Sequence, residues 1–372
     1  MSGVALSIFS ILASILVVLP GPSHWRAKNI PILALIFWLV AGNINNIVNH
    51  LVWTDHARNI APVWCDISVK LMSMVTMGVP CCALIISMKL LKISSLNYIP
   101  QSEKQILRQR IHDIGCVLVL PILYALLTLI NQGHRFNIVE GQGCQPAVYL
   151  TALTIVIDYG MPLTVSFVSI VFSLLALRQF FIHKQDFDII LRRSGTGLST
   201  KKFLRMISFT LIDLLLNFPT FLTDFALELS YSKIHPYTSW DLVHSGFSNI
   251  WIYPISSLAN KAGQQFLILS SFSSWTLCVT AIIFFLLFGF SVDVRLDYSK
   301  AQKKIASFFL KQKERTLPLS CSQFDSIQER KEDENSLQRS SNVPEESKSI
   351  DTLSIVTDPP SLSLTEKHEV YI

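Results

Sequence analysis

Charge is what this chain has least of. Only 15% of its 372 residues are Asp, Glu, Lys or Arg, and half are hydrophobic. Soluble domains carry about 25% charged residues, so a freely soluble class is excluded first. The net charge of +5 is modest and gives no reason to expect a nucleic-acid partner. Seven cysteines are present, but no C-x-x-C pair and no His/Cys metal spacing, which excludes a zinc site and a disulfide-dense scaffold. Walker, G-x-S-x-G and H-E-x-x-H motifs are missing, so neither enzyme chemistry nor a cofactor is expected. The two halves show no repeat of the kind paired-repeat transporters carry.

What is present is length and apolarity in the right units. A hydrocarbon core about 30 Å thick takes about 20 apolar helical residues. Seven stretches qualify, at approximately 4–20, 31–52, 66–90, 114–130, 147–177, 206–225 and 266–290. The expected fold is an all-α membrane protein, a bundle of seven transmembrane helices. The first stretch reads as a true crossing, since Met1-Ser2-Gly3 offers no basic leader and no A-x-A site follows. The seventh contains no Lys, which excludes a retinal Schiff base.

Basic residues alternate between connections. Arg26 and Lys28 follow the first crossing. Lys89, Lys92, Lys104, Arg108 and Arg110 follow the third, and Arg178, Lys184, Arg192, Arg193, Lys201, Lys202 and Arg205 follow the fifth. The intervening connections carry one or two basic residues each. Lys and Arg concentrate on the cytosolic side, so the pattern predicts an outside N-terminus and a cytosolic C-terminus.

Three parts are expected: a transmembrane region over 1–295, a basic amphipathic segment over 296–315, and a polar tail over 316–372. In the second, Ala301, Ile305, Phe308 and Phe309 share a helical face among Lys300, Lys303, Lys304 and Lys311. That composition suits a helix lying on anionic membrane lipid. The tail is Ser-rich with few large apolar residues and is expected to be disordered. At Ser102-Glu103-Lys104-Gln105 a capping box announces the start of a helix.

Ionisable groups at membrane depth are functional suspects. Asp66 and Lys70 sit i, i+4 and can pair on one helix face. Asp158 falls in the fifth crossing, and Asp213, Asn217, Pro219 and Asp224 in the sixth. Pro219 removes a backbone hydrogen bond and favours a kink, so Asp213, Asn217 and Pro219 read as parts of a two-state switch or of a static packed kink. Cys65 and Cys144 both fall at the outer surface, where either a bridge or free thiols are compatible with the residues. Aromatic and histidine residues crowd the same rim. Trp53, Trp64, Asp66, Lys70, His134, Arg135, Trp240 and His244 are the candidate ligand contacts. The long loop over 226–265 is a candidate lid over an apolar ligand.

The third crossing ends Lys89-Leu90-Leu91-Lys92 without Asp-Arg-Tyr, and the seventh lacks Asn-Pro-x-x-Tyr, so a rhodopsin-like receptor is excluded. Other segments carry a resemblance. Trp53-Thr54-Asp55, Ala61-Pro62-Val63-Trp64-Cys65-Asp66-Ile67, the run from Gln132-Gly133-His134-Arg135-Phe136 to Gly143-Cys144-Gln145-Pro146, Leu211-Ile212-Asp213 through Asn217-Phe218-Pro219, and Pro236-Tyr237-Thr238-Ser239-Trp240 are together similar to the lipopeptide mating-pheromone receptors of fungi. These are class D, family four, G-protein-coupled receptors. The resemblance spans about residues 20–295. It departs at Asn29-Ile30-Pro31, where much of the family has Asn-x-Gly. It implies a farnesylated peptide pheromone as ligand, a heterotrimeric G protein as transducer, a Cys65–Cys144 disulfide, and Arg192, Arg193 and Arg205 facing the G protein. It also admits a homodimer. The competing expectation is a seven-helix transporter or channel-like protein with Asp66, Lys70, Asp158 and Asp213 along one charge path.

Overall fold

The computed structural model describes residues 2–94, 102–185, 199–231, 233–291 and 294–300, with the single positions 187, 189, 191, 302, 303, 306, 307 and 330. Residues Met1–Asp297 form one compact unit. Arg192 and Arg193, the face made by Ala301, Ile305, Phe308 and Phe309, and the 316–372 tail apart from residue 330 lie outside the described residues.

Seven helices are long and apolar enough to cross a membrane. They are α1 (Ser2–Val18), α2 (Ile30–Val52), α3 (Pro62–Ser94), α4 (Glu103–Asn131), α5 (Ala152–Ile182), α6 (Thr200–Tyr231) and α7 (Lys261–Phe288). A short helix, Gly21–Arg26, continues the first span. The helices overrun the hydrophobic stretches because helix limits follow capping, not apolarity. The start of α4 has the Ser102 amide donating to Gln105 Oε1 at 2.9 Å. Thr151 begins α5, its hydroxyl accepting from the Thr154 amide at 3.2 Å, five residues later than the apolar run suggests. Asn260 begins α7, its Oδ1 accepting from the Gly263 amide at 2.7 Å. Such caps are worth about 1 kcal/mol each.

The burial pattern is that of a protein built for lipid. Ile8, Phe37, Ile67, Leu123, Phe167, Leu215 and Ile268 are exposed, whereas Asn43, Asn46, Asn49, Ser68, Ser87, Ser166, Ser169 and Ser173 are buried. Small and polar residues let membrane helices approach and bond. Ser87 and Ser173 lie 2.7 Å apart across the extensive α3–α5 seam. Asn46 Nδ2 donates to the Ser274 carbonyl of α7 at 3.2 Å, and Asn49 Nδ2 to Ser68 Oγ of α3 at 2.9 Å. α3 is the central helix, packed on α2, α4, α5 and α6.

Two prolines interrupt this bundle in a repaired way. π-helical stretches run over Gly115–Val119 in α4 and Ile155–Gly160 in α5, just ahead of Pro121 and Pro162. A proline has no N–H for the carbonyl four residues back, and in hydrocarbon that carbonyl has no water to turn to. Trp38 Nε1 of α2 donates to the Val117 carbonyl at 2.9 Å, and the Tyr124 hydroxyl of α4 donates to the Asp158 carbonyl at 3.1 Å. Trp38 reaches its acceptor because Gly78 leaves room. A Cβ there would lie 2.6 Å from Trp38 Nε1.

One feature has no counterpart in an all-helical expectation. Strands β1 (Phe136–Val139), β2 (Gly143–Gln145) and β3 (Ile250–Tyr253) form a sheet at one end of the bundle, in the order β2-β1-β3. β1 runs antiparallel to β2, with Ile138 opposite Cys144, and parallel to β3, with Phe136 opposite Ile250. The loop between α6 and α7 therefore contributes a strand to the loop between α4 and α5.

Trp38→Phe keeps the ring and removes the donor to Val117. It is expected to cost about 1–3 kcal/mol, the penalty of an orphaned buried acceptor, read as a lower melting temperature of the detergent-purified protein. An unchanged melting temperature would mean the indole N–H is not needed there.

Candidate functional site

The sheet end is anchored to the bundle covalently. Cys65 in the first turn of α3 and Cys144 in β2 form a disulfide, with Cα atoms 5.2 Å apart and a sequence separation of 79. Bridges of this kind contribute about 2–4 kcal/mol. Around it, Trp53, Ala57, Val69, Phe136 and Ile138 form a small core. Gly143 holds φ +77°, and a Cβ there would fall 2.7 Å from Asn49 Cβ, so glycine is required where β2 crosses α2.

The eight candidate ligand contacts divide sharply. Trp53 is completely buried, its Nε1 donating to the Arg58 carbonyl at 2.9 Å. It organises the α2–α3 loop. Trp64 is half-buried, and its Nε1 donates to Asn49 Oδ1 at 3.0 Å. The Asp66–Lys70 pairing is corrected. Asp66 instead receives Arg135 Nε at 2.8 Å and Nη2 at 2.5 Å. A guanidinium fork matches a carboxylate better than a single ammonium does, and β1 delivers it there. These bonds hold the Arg135 guanidinium proton more firmly than usual. Lys70 Nζ donates to Thr128 Oγ1 of α4 at 3.1 Å.

The remaining three take part in two aromatic–histidine stacks, one of them completed by Trp251. The His134 ring lies 4.3 Å from that of Trp251 in β3, and His134 Nε2 is 2.6 Å from Asn137 Oδ1. Trp240 and His244 stack at 3.8 Å, and His244 Nε2 donates to the Leu129 carbonyl at 3.0 Å, tying the α6–α7 loop to the end of α4. Below Lys70, Asn131 Nδ2 donates to Asp158 Oδ2 at 2.8 Å. The result is a polar network shared by α3, α4 and α5 under the sheet.

A loop residue that the sequence reading passed over reaches further into the bundle. Gln142 is buried between two glycines of positive φ, Gly141 at +78° and Gly143 at +77°. Its Nε2 donates to Ser271 Oγ at 2.7 Å, and its Oε1 accepts from Ser270 Oγ at 3.0 Å. The Gly-Gln-Gly triplet is the signal that marked it, a tight turn presenting one amide.

α6 carries the third feature. Pro219 lies within it, and Asn217 Nδ2 donates to the Asp213 carbonyl at 3.0 Å and to Asp213 Oδ1 at 2.8 Å. Asp213 is buried, and its Oδ2 has no hydrogen-bond partner among the described residues. Beside the proline, a lateral cavity of about 480 Å³ opens between α6 and α7. Leu216, Pro219, Leu227, Ile268, Leu269 and Phe272 line it, with Gln265 at its sheet end. The Gln265 Oε1 atom is buried without a partner among the described residues.

A seven-helix bundle with one disulfide from the third helix to the loop between the fourth and fifth does not by itself fix a family, so sequence comparison decides it. The STE3 family profile, described as Pheromone A receptor, matches residues 5–306. The chain belongs to the STE3 pheromone A receptor family. It is 33% identical over 308 residues to "Pheromone receptor 1" of Mycosarcoma maydis, covering 82% of this chain and 85% of that one. It is 31% identical to "Pheromone receptor 1" of Ustilago hordei, covering 84% and 86%. It is also 29% identical to "Pheromone a factor receptor" of Saccharomyces cerevisiae (strain ATCC 204508 / S288c), covering 81% and 62%. This STE3-family receptor is thus a multi-pass protein of the plasma membrane. The four residues of the transporter reading fall in separate clusters: Asp66 with Arg135, Lys70 and Asp158 in the α3–α5 network, and Asp213 with Asn217.

Arg135→Asp is expected to reduce the fraction of folded, surface-displayed receptor, because two carboxylates then face each other. The exchange Asp66→Arg with Arg135→Asp should recover most of it, measured by surface labelling. Equal loss in the single and exchanged variants would rule out the ion pair as the interaction that matters.

Proposed function

We propose that this receptor binds a short peptide pheromone with a C-terminal farnesyl group and passes the signal to a heterotrimeric G protein. The reading takes the sheet end as extracellular and the basic end as cytosolic, in keeping with the alternation of Lys and Arg. The observation that carries it is the lateral apolar cavity against Pro219 in a chain of this family. Its volume of about 480 Å³ falls within the ordinary range of about 300–1,000 Å³ for ligand pockets. Burying a prenyl chain contributes about 0.8 kcal/mol per CH₂. Gln265, at the mouth, offers its unpartnered oxygen to an amide N–H of the peptide after a turn of its side chain. A phosphatidylcholine molecule entering from the bilayer carries no such donor.

The peptide portion would lie over the polar end. Asp66 and Arg135, the His134–Trp251 and Trp240–His244 stacks, and Lys70 beneath them surround it, with the disulfide setting their spacing. The lipid portion would press on α6 at the kink. Asn217 sits about half a turn and Asp213 nearly two turns below Pro219 on the same helix, and Arg205, half-buried, sits about 12 Å beyond Asp213 at 1.5 Å per residue. A ligand that binds one α6 position more tightly than the other shifts the population toward it, and Arg205 with Arg192 and Arg193 would present the result to the G protein.

The test is signalling in a heterologous yeast challenged with farnesylated peptides and their unprenylated counterparts. The expected result is a response to at least one farnesylated peptide and none to its bare form. Silence toward every lipopeptide, with surface display confirmed, would refute the assignment. Leu269→Trp, which fills the cavity, is expected to raise the half-maximal pheromone concentration at least about tenfold. Pro219→Ala should change basal signalling more than surface level, whereas equal loss of both would make the kink merely structural. Arg205→Ala should spare ligand binding and weaken coupling; lost binding with intact coupling would contradict its place.

A further inference from the structure

A second cavity lies at the opposite end of the bundle, far from the sheet, between the last turns of α3 and the first turns of α4. Its volume is about 400 Å³. Lys89 and Lys92 line it from α3, and Arg108 and His112 from α4. The spacings are i, i+3 and i, i+4, so each pair shares one helix face. Asp113 is the carboxylate among the lining residues, and it is already engaged: Lys89 Nζ lies 2.5 Å from Asp113 Oδ2, and the Asp113 side chain is 3% exposed. That ion pair ties α3 to α4 and neutralises one cation. Among the lining residues basic side chains outnumber the one carboxylate, and Lys92, Arg108 and His112 are exposed, with His112 Nε2 3.7 Å from Cys116 Sγ.

The apolar residues around the groove have a matching arrangement. Ile85 and Met88 lie at its foot, on the membrane side of the two lysines. Leu107, Ile111 and Ile114 are exposed along the same turns of α4 as Arg108 and His112. A charged pocket flanked by exposed apolar side chains, sited at the end of two membrane helices, is complementary to a molecule that is anionic at one end and hydrocarbon at the other. A phosphorylated peptide satisfies the first half of that description and makes no use of Leu107, Ile111 and Ile114. An anionic phospholipid satisfies both.

We propose that the α3–α4 groove binds the phosphorylated head group of an anionic membrane phospholipid, with Lys92, Arg108 and His112 on the phosphate and the acyl chains along Ile85, Met88 and Ile111. Basic pockets between membrane helices take such head groups. Head-group occupancy would also screen Lys89 and Asp113 from water, so it should stiffen the α3–α4 junction. The groove shares no residue with the ligand site above, so the fate of either assignment leaves the other standing.

The full-length receptor, purified and reconstituted in phosphatidylcholine nanodiscs, provides the test. Fluorescent phosphatidylinositol 4,5-bisphosphate is the probe, and unlabelled phosphatidylserine and soluble inositol trisphosphate are the competitors. The expected result is saturable binding of the phosphoinositide, weaker competition by phosphatidylserine and much weaker competition by the soluble head group. Lys92→Gln with Arg108→Gln should weaken binding about thirty-fold, since each basic residue near the membrane surface contributes about fivefold, with an unchanged melting temperature in phosphatidylcholine alone. Arg108→Gln by itself, with a several-fold loss, serves if the double variant does not fold. Undiminished binding in these variants would overturn the site. Equal competition by the soluble head group would reduce it to a phosphate site and overturn the lipid assignment.

Discussion

Inside hydrocarbon a backbone carbonyl that loses its helical partner has nowhere to turn but to another part of the protein. The architecture of this receptor follows from how it meets that requirement at its prolines. At Pro121 and Pro162 the repair comes from a neighbouring helix: Trp38 of α2 bonds the Val117 carbonyl, and Tyr124 of α4 bonds the Asp158 carbonyl. Each repair fastens two helices together. Around Pro219 the bonds stay within α6, with Thr220 Oγ1 donating to the Leu216 carbonyl and Asn217 Nδ2 to the Asp213 carbonyl. These bonds tie α6 to no neighbour, and neither reaches the Leu215 carbonyl that Pro219 leaves without its helical donor. Bonds to proline-freed carbonyls thus fasten α2 to α4 and α4 to α5, and none among the described residues is made at Pro219 of α6 or at Pro80 of α3.

At the sheet end, the disulfide, the buried Trp53 and the crossing of Gly143 over Asn49 lock β1 and β2 onto α2 and α3. β3 comes from the α6–α7 loop and pairs with β1 through backbone bonds. Gln142 reaches from the turn between β1 and β2 to Ser270 and Ser271 of α7. A ligand seated over the sheet and inserted between α6 and α7 would touch both the α4–α5 and the α6–α7 loops.

Much of this was legible in the residues. The seven crossings are set by hydrocarbon thickness, and the apolar runs display it without ambiguity. The start of α4 was legible at Ser102 and Gln105, because a cap is a local device. The disulfide was reachable only through resemblance, since Cys65 and Cys144 are far apart in sequence and pairing is a tertiary fact. The Asp66–Lys70 pair failed for the same reason. Local spacing nominated Lys70, but a strand from another loop brought Arg135 with better geometry. The burial of Trp53 was not legible, because an aromatic residue at the membrane rim reads alike whether it faces ligand or fills a core. The three-stranded sheet was hidden because its strands are three or four residues long and one of them pairs across more than a hundred residues of chain.

The most direct measurement is guanine-nucleotide exchange on a purified heterotrimeric G protein, with the receptor in nanodiscs and a farnesylated peptide as the sole added ligand. The account predicts that exchange accelerates with the farnesylated peptide and not with the same peptide lacking its lipid, and that Leu269→Trp blunts the effect. Exchange driven equally by the bare peptide, or indifferent to every lipopeptide while the receptor remains folded, would contradict it.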